Sequence, residues 1–252
     1  MAQPPQGVQT VTRAFELLDR IADNGDPVTV SALATESGLP LPTVHRLLKT
    51  LVALGYVRQL PSRRYALGPR LIRLGENAGR ALGAAAHPFL AELVDSTGET
   101  ANLAMRESDM VVYVAQVPSR HAMRMFTEIG RRVLPHCTGV GKALLSQLSD
   151  DEVKAIVQRV GMPALTDRTI TDLDALLADL ELIRARGWAE DNGEQEIGVR
   201  CLAVPVVGTG IAAALSVSGP EARITADSGE RIGPLLVKVA GDFAASINAE
   251  EN

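Results

Sequence analysis

The first third of the chain has the periodicity of three helices. Apolar residues recur at helical spacing from residue 11 to residue 21, which predicts a first amphipathic helix. A short second helix is predicted to begin at a cap formed by Thr29 or Ser31 and to end at Gly38. The third helix is predicted to run from the prolines of its first turn to Leu54. The apolar stripes comprise Val11, Ala14, Phe15, Leu18 and Ile21 in the first helix and Val44, Leu47, Leu48, Leu51 and Leu54 in the third.

The opposite face of the third helix is polar and cationic. Residues 56–67 follow it and predict two short strands around a Pro-Ser turn, with two arginines near the tip. A short helix, a tight turn, a longer cationic helix and such a hairpin are the parts of a winged helix-turn-helix. An ordinary helical bundle with a solvated face is the alternative. On the first interpretation the base edges are reached by Thr43, His45 and Arg46, and the phosphates by Lys49, Arg63 and Arg64.

Two segments of this region resemble one known family. They are Gly38–Val57, which contains Thr-Val-His-Arg-Leu-Leu and closes on Gly-Tyr-Val, and Arg64–Gly68. Both are similar to the winged helix of the IclR family of bacterial transcription regulators. The resemblance implies that Thr43, His45 and Arg46 lie on the face that meets DNA.

A further helix is predicted after Pro69, and His87-Pro88 are predicted to end it. Its apolar residues are spaced like a coiled-coil seam, so it packs either on a partner chain or on its own domain. The chain is therefore divided into a winged helix-turn-helix at residues 7–69, a linker helix at 70–86 and a second domain at 87–252. The stripe of the linker comprises Leu71, Leu74, Ala78, Leu82 and Ala85.

The rest of the chain alternates between strand pairs and helices. Residues 100–106 with 110–116 predict one strand pair, and residues 199–206 with 211–218 predict another. Helices are predicted at residues 142–147, 152–160, 173–186 and 230–247. Strand pairs with helices between them are typical of an α+β fold with an antiparallel sheet.

Several features of this second part are candidates for a binding site. The turn Gly139-Val140-Gly141 runs into a helix, whose free N–H groups and dipole attract a carboxylate. Ser216 and Ser218 lie two apart on a strand, so both hydroxyls face one side, and Cys201 begins the neighbouring strand. Asp191 is predicted in a loop, where it accepts a hydrogen bond from a ligand hydroxyl. A plain helix start, a core cysteine and solvated serines are the alternatives.

The resemblance to the IclR family extends into this part. Leu134–Leu145, Glu194–Val206 and Ala214–Pro220 are similar to the family's effector-binding domain, so the resemblance covers residues 8–248. It implies a GAF-like sheet with a pocket for a small organic acid, and assembly into a homodimer or tetramer. Because an acid without a hydrogen-bond donor would leave Asp191 unpaired, a glyoxylate-like or hydroxy acid is expected. The effector-binding positions that the resemblance implies are Gly139, Val140, Asp191, Cys201, Ser216 and Ser218.

Composition adds an asymmetry of charge. The 252 residues carry a net charge of −5, yet residues 1–80 carry +4 and residues 81–252 carry −9. Because residues 1–80 are basic and the rest of the chain is acidic, we expect a polyanionic partner to bind the first region and not the second. The apolar fraction of 46% is enough for a folded core, which excludes wholesale disorder.

The cysteine count and the start of the chain bear on location. Two cysteines cannot form a disulfide framework, and no apolar leader follows Met1, so a cytoplasmic protein is predicted. The longest uncharged segment, Cys201–Pro220, contains prolines and glycines. It is interpreted as a buried hairpin and not as a membrane span.

Enzymatic and metal-binding roles find little support. Cys137 or Cys201 with His121 or His136 would be needed for a thiol nucleophile and its base, but nothing in the spacing brings them together. Adjacent His136 and Cys137 would point to opposite sides of a strand. Cys/His pairs with metal-ligand spacing are absent from the sequence, and eight aromatic residues disfavour a binder of single strands. No cofactor or metal is predicted.

These features together predict a homo-oligomeric DNA-binding transcription regulator, which we expect to be a repressor. A two-fold assembly requires a pseudo-palindromic operator in double-stranded DNA. The second domain would bind the controlling organic acid. The alternative function is a metabolite sensor that acts through protein partners, and specific binding to duplex DNA distinguishes the two.

Overall fold

The chain divides into two compact units, residues 1–78 and residues 79–252. The computed structural model describes residues 8–25, 27–125 and 127–250, with the backbone alone for residues 78–82 and 250. The first unit contains helices and a two-stranded sheet, and the second contains a six-stranded sheet with helices. Each unit has a hydrophobic core of its own, as separate domains require.

The first unit is a winged helix-turn-helix, as predicted. Thr29 caps α2, since its Oγ1 accepts the N–H of Ala32 at 3.2 Å, and Gly38 ends that helix at a φ of +66°. The strands of the wing pair in antiparallel register, with Arg58 opposite Ala66. The elements are α1 (Gln9–Asp23), α2 (Val30–Ser37), α3 (Leu41–Ala53), β1 (Val57–Gln59) and β2 (Tyr65–Leu67).

The predicted apolar stripes are only partly buried. Val44, Leu48 and Leu51 of α3 are buried, whereas Leu54 is 47% exposed. In α1 the exposed fractions of Val11 and Phe15 are 52% and 63%. Leu18 and Ile21 of the predicted stripe are buried, together with Leu17, which the stripe did not include. Periodicity therefore predicted both helices but overestimated the width of the face that each buries.

The linker helix is α4 (Arg70–Gly83), and it is followed by α5 (His87–Thr97). His87-Pro88 occupy the first turn of α5, where proline is tolerated, so they begin a helix, whereas α4 already ends at Gly83. Leu74 and Ala85 are exposed and Leu71 is half-buried. The side chains of Ala78 and Leu82 lie outside the described residues, and the coiled-coil seam stays a prediction.

The second unit is built on an antiparallel sheet in the order β5-β4-β3-β8-β7-β6. The predicted pairs are confirmed as β3 with β4 and β7 with β8, and β3 joins the two pairs by lying beside β8. β5 and β6 are short edge strands that were not predicted. The strands are β3 (Thr100–Glu107), β4 (Met110–Val117), β5 (Arg132–Val133), β6 (Ala189–Asn192), β7 (Val199–Val206) and β8 (Ala213–Pro220).

Helices cover both faces of this sheet, which gives the α+β class. Leu103, Leu202 and Leu215 pack with α5 and α9 in one core. Ala104, Ala203 and Ala214, each next to one of these leucines in the chain, pack with α6, α7 and α8 in a second core. The helices are α6 (Gly139–Leu145), α7 (Asp150–Val160), α8 (Leu173–Arg186) and α9 (Ser228–Glu250).

The long uncharged segment is the β7–β8 hairpin, as predicted. Its strands are buried in the middle of the sheet, which explains why it lacks charges. None of the helices in the described part of the chain combines the length and apolarity that a membrane crossing needs.

Candidate functional site

The outer face of α3 and the wing form the first candidate site. His45, Arg46 and Lys49 are exposed and Thr43 is half-buried. Because the opposite face of α3 is packed in the core, these side chains project away from the unit. The first unit therefore presents a helix with polar and cationic groups to its surroundings.

The two arginines of the wing lie in its turn. Arg63 has a φ of +60° and donates its N–H to the carbonyl oxygen of Leu60 at 2.9 Å. The N–H of Leu60 donates to the carbonyl oxygen of Arg64 at 2.8 Å, which closes the turn. Both side chains are exposed, and Arg64 also reaches the carbonyl oxygen of Pro27 at 3.4 Å.

The second candidate site is a row of three residues across neighbouring strands. Asp191 of β6 pairs with Cys201 of β7, and Cys201 pairs with Ser218 of β8. Paired residues of antiparallel strands project on the same face, so the three side chains lie side by side. They line a cavity of about 50 Å³, which has room for a ligand of a few heavy atoms.

Asp191 lies on a strand, so the predicted loop at this position was wrong. β6 has only four residues, Ala-Glu-Asp-Asn, and acidic residues and Asn are depleted in strands. Its pairing with β7 along the edge of the sheet overrides that weak propensity. The strand places Asp191 beside Cys201, a relationship that a loop would not have fixed.

Ser216 lies on the same face as Ser218 but not in the cavity wall. It pairs with Asn102 of β3, whose Nδ2 donates to the Ser216 hydroxyl at 3.4 Å. Gln116 of β4 donates from Nε2 to Oδ1 of Asn102 at 2.9 Å. Ser216 and Asn102 are completely buried. This chain of polar groups therefore crosses three strands behind the cavity.

The start of α6 packs directly on the row. A Cβ on Gly139 would lie 2.9 Å from Sγ of Cys201, so a glycine is required for this close approach. Thr138 caps the helix, since its Oγ1 accepts the N–H of Gly141 at 3.1 Å. Gly139 and Val140 are both buried, and neither is among the residues that line the cavity.

The charge of Asp191 is poorly stabilised. Burial raises the pKa of Asp191 to about 7, and the carboxylate of Glu194 adds to the rise. The backbone N–H groups of Glu194 and Gln195 and the ammonium of Lys142 oppose it. The N–H of Glu194 donates to Oδ1 of Asp191 at 2.7 Å.

A buried lysine lies behind Asp191. Nζ of Lys142 on α6 lies 2.5 Å from Oε1 of Glu194 and 2.8 Å from Oδ2 of Asp179 on α8. The side chain of Lys142 is 2% exposed. Burial alone would lower its pKa, but the two carboxylates outweigh burial and raise it, so Lys142 is charged.

Both thiols and the imidazole of His136 are buried. Burial raises the pKa values of Cys137 and Cys201 to about 12, so both are protonated at neutral pH. His136 and Cys137 lie in a turn and not on the expected strand, and Nε2 of His136 is 3.2 Å from the carbonyl oxygen of Pro163. Within the described ranges, no three His, Cys, Asp or Glu side chains are grouped to hold a metal ion.

Two family models match the chain. The IclR helix-turn-helix domain matches residues 10–61, and the bacterial transcriptional regulator IclR C-terminal domain matches residues 78–245. The second match alone covers more than half of the chain. The chain belongs to the IclR family. This IclR-family chain therefore combines a DNA-binding helix-turn-helix domain with an effector-binding C-terminal domain.

Individual relatives agree with the family match. The transcriptional repressor IclR of Escherichia coli K12 is 38% identical over 240 residues, covering 92% of this chain and 88% of that protein. The structure of an IclR transcriptional regulator from Alicyclobacillus acidocaldarius has a TM-score of 0.83 at 28% identity, covering 96% and 99%. That of an IclR family regulator from Brucella abortus has a TM-score of 0.81 at 26%, covering 96% and 93%.

The cavity of this IclR-family chain has lining residues that sequence reasoning missed. Tyr113 looked like an ordinary core residue of an alternating strand, and loop positions carried no signal. A neighbouring cavity of about 300 Å³ is lined by Met110, Val133, Leu134 and Leu165 among others. Both cavities share Arg131, Gln195 and Glu196. The further lining residues of the smaller cavity are Tyr113, Met125, Thr127 and Val199.

Proposed function

We propose that this IclR-family chain is a transcriptional repressor whose DNA binding is controlled by a small organic acid. The observation that carries the proposal is the outer face of α3, where His45, Arg46 and Lys49 are exposed while the opposite face is buried. The matching relative from Escherichia coli is named a repressor, which supports repression rather than activation of transcription. Because its partner is operator DNA, we expect the protein to act in the cytoplasm.

In this proposal α3 enters the major groove. Thr43, His45 and Arg46 lie in its first half, where a recognition helix contacts base edges. Lys49 lies one turn later and contacts the phosphates. Arg63 and Arg64 meet the backbone from the exposed turn of the wing.

We further propose that the chain works as a homodimer or tetramer. The winged helix-turn-helix of residues 7–69 is joined by the linker of residues 70–86 to an effector-binding domain of residues 87–252. Ile72 and Leu74 of α4 are 64% and 49% exposed, which supports a role for the linker in assembly. A two-fold dimer places two α3 helices on half-sites about one helical turn apart, so the operator is a pseudo-palindrome.

The effector site of the proposal is the cavity beside the row of Asp191, Cys201 and Ser218. Its small volume and polar wall suit a short carboxylic acid of the glyoxylate class. Ser218 supplies a hydroxyl, whereas Ser216 supports the wall from behind through Asn102. Gly139 brings the start of α6 against Cys201, and the buried Val140 follows it in the same turn. A modest opening between α6 and β7 would let their N–H groups reach the carboxylate.

We assign no catalytic step to this protein. The high pKa values of Cys137 and Cys201 argue against a thiolate nucleophile, so Cys201 has a packing or weak hydrogen-bonding role. A metabolite sensor acting through protein partners is the second candidate. The exposed cationic groups of α3 and the wing favour DNA as the partner over a protein, because basic side chains clustered on a helix-turn-helix are typical of a surface that binds nucleic acid.

Selection of duplexes from a random DNA pool by the purified full-length protein tests the proposal. The expected product is a pseudo-palindromic sequence that is bound at least about a hundredfold more tightly than a scrambled duplex of the same composition. A panel of oxo, hydroxy and aromatic acids is then added to the complex. Equal affinity for selected and scrambled duplexes would favour the sensor acting through proteins.

A further inference from the structure

Asp191 contacts the effector cavity without a cationic partner of its own. Its Oδ1 accepts the N–H of Glu194 at 2.7 Å, and the residue is 5% exposed. In the described part of the chain, no Lys, Arg or His nitrogen lies within ion-pair distance of its carboxyl oxygens. A carboxylate in such a position has lost its hydration without gaining a counter-charge.

The nearest buried cation is already committed to two other carboxylates. Lys142 contacts both Asp179 and Glu194, so one ammonium stands against three acidic side chains when Asp191 is included. The two carboxylates carry two negative charges against the single positive charge of Lys142, so this group of three already has a net charge of −1 when all are ionised. A third ionised group in the same buried cluster would be opposed by the nearby charge of Glu194.

The other groups around Asp191 do not change this balance. Arg131 and Glu196 line the same cavity, but both are exposed and carry opposite charges. The other side chains that line the cavity beside Asp191 are uncharged at neutral pH. The titratable and charged groups that face Asp191 are Tyr113 of β4, Arg131 of the segment before β5, Cys137 of the turn before α6, Lys142 of α6, Glu194 and Glu196 of the loop after β6, and Cys201 of β7.

We propose that Asp191 meets the effector as a neutral carboxylic acid that donates a hydrogen bond to a ligand oxygen. The inference deepens the proposed function and rests on it, because it concerns the same cavity. It changes the expected ligand chemistry. Opposite Asp191 the ligand needs an acceptor, such as an oxo or carboxylate oxygen, whereas an ionised Asp191 would need a hydroxyl donor.

The proton belongs on Asp191 and not on Glu194. Burial raises the pKa of Glu194 as well, but Glu194 has a charge-assisted contact of 2.5 Å with Lys142, which favours its ionised form. Asp191 has only backbone N–H groups, and its pKa of about 7 lies higher than that of an ordinary carboxyl group. Lys142 and Glu194 are therefore positioning residues that set the protonation of Asp191.

The proposal predicts that pH affects the binding of one ligand and not that of a second ligand, which differs from it in one group. Binding of 2-oxobutyrate should weaken by about tenfold per pH unit above pH 7, because the required proton is then absent from the free protein. Binding of 2-hydroxybutyrate should not weaken in this range, since its hydroxyl can donate to an ionised Asp191. Isothermal titration calorimetry of the full-length protein between pH 6 and pH 9 measures both, with glyoxylate and glycolate as a shorter pair.

Variants at position 191 separate protonation from shape. Asp191→Asn keeps a neutral donor of the same size, so it should bind 2-oxobutyrate nearly as tightly as the wild type and without pH dependence. Asp191→Ala should bind about tenfold more weakly or worse at pH 6. Glu194→Gln should move the pH profile to lower pH, whereas Glu181→Gln, on the exposed face of α8 and outside the cavity wall, should leave it in place. Circular dichroism at each pH confirms that the variants are folded.

The opposite pattern would overturn the inference without touching the proposed function. If the hydroxy acid binds more tightly than the oxo acid at every pH and Asp191→Asn loses it, then Asp191 is an ionised acceptor. A measurement without ligand decides the case in which no acid binds. The carboxyl ¹³C signal of Asp191 in the free protein should titrate near pH 7, and a midpoint below about 5 would refute the neutral form. Failure of every acid to bind would count against the acid-controlled repressor alone.

Discussion

Arg70, the first residue of the linker helix, donates from its guanidinium to the carbonyl oxygen of Leu54 at the end of α3, at 2.9 Å. Its guanidinium carbon also lies 5.1 Å from the ring centre of Tyr56. A cation at a helix C-terminus satisfies a free carbonyl and interacts favourably with the helix dipole. The start of α4 is thereby fixed to the end of α3.

Arg70→Ala should therefore weaken the first unit. We expect the free energy of unfolding of this unit to fall by up to about 1 kcal/mol, because the contact is exposed to solvent. Operator affinity should fall as well, since the end of α3 becomes less ordered. Arg73→Ala, on the same helix, is the matched control for charge and helix propensity. Thermal unfolding and DNA titration measure both effects, and equal behaviour of the two variants would contradict the role of Arg70.

Arg46→Ala and Arg63→Ala should affect DNA binding differently. Arg46 lies on the exposed face of α3, so its loss should cost about 1–3 kcal/mol on the selected operator and relax specificity. Arg63 lies in the turn of the wing, so its loss should weaken all duplexes alike and reduce the salt slope by about one. Arg120→Ala in the second unit removes the same charge as a control. Unchanged affinities of Arg46→Ala for both operator and random DNA would show that α3 is not the recognition helix.

Substitutions of the two serines of β8 should have different effects on acid binding and on stability. Ser218 lines the cavity, so Ser218→Ala should raise the acid concentration needed for release of DNA and leave binding without acid unchanged. Ser216 is hydrogen-bonded to Asn102 inside the sheet, so Ser216→Ala should cost about 1 kcal/mol of stability with a smaller effect on acid affinity. Calorimetric titration together with urea unfolding distinguishes these outcomes. Wild-type acid affinity in both variants would place the effector elsewhere.

Gly139→Ala should disturb the contact between α6 and β7. The added methyl group would lie 2.9 Å from Sγ of Cys201, closer than real Cβ contacts allow, so we expect a loss of about 1–3 kcal/mol in unfolding free energy. Cys201→Ala in the same chain removes the sulfur and should restore part of that loss. A double-mutant cycle measures the coupling. Additive effects of the two substitutions would mean that Gly139 does not depend on Cys201.

Local patterns were sufficient for most of the fold. Asp172 and Gly187 mark the two ends of α8, and both the predicted and observed helix run from Leu173 to Arg186. Alternation and a short turn likewise predicted β3 and β4. β6 was not predicted because its sequence has little strand propensity. It forms a strand because it pairs with β7, which lies outside the local sequence of β6.

The candidate site could be predicted only in part. Asp191, Cys201 and Ser218 were candidates from the sequence and from the family resemblance, and the sheet register brings them into one row. Sequence spacing alone could not separate Ser216 from Ser218, since residues two apart share a face. Arg131 and the Lys142 cluster depend on side chains far apart in the chain, and no periodic pattern reports such contacts.

Asp191→Asn should change how the stability of the second unit depends on pH. The pKa of Asp191 is about 7 in the folded protein, against an ordinary value of 3.8. Between these values the folded state keeps a proton that the unfolded state has lost, so wild-type stability falls as pH rises and levels off above pH 7. The variant lacks this ionisation. Its unfolding free energy relative to wild type should rise between pH 4 and pH 7, by on the order of 4 kcal/mol.

Trp188, the single tryptophan, lies in the second unit, so its fluorescence during urea unfolding reports this difference at each pH. Asp109→Asn is the control with the opposite sign. Arg159 lowers the pKa of Asp109, so that carboxylate contributes stability that is lost as the pH falls. The asparagine variant at position 109 should therefore lose stability relative to wild type as the pH rises. A constant difference between Asp191→Asn and wild type over the whole range would show that Asp191 ionises as readily in the folded protein as in water.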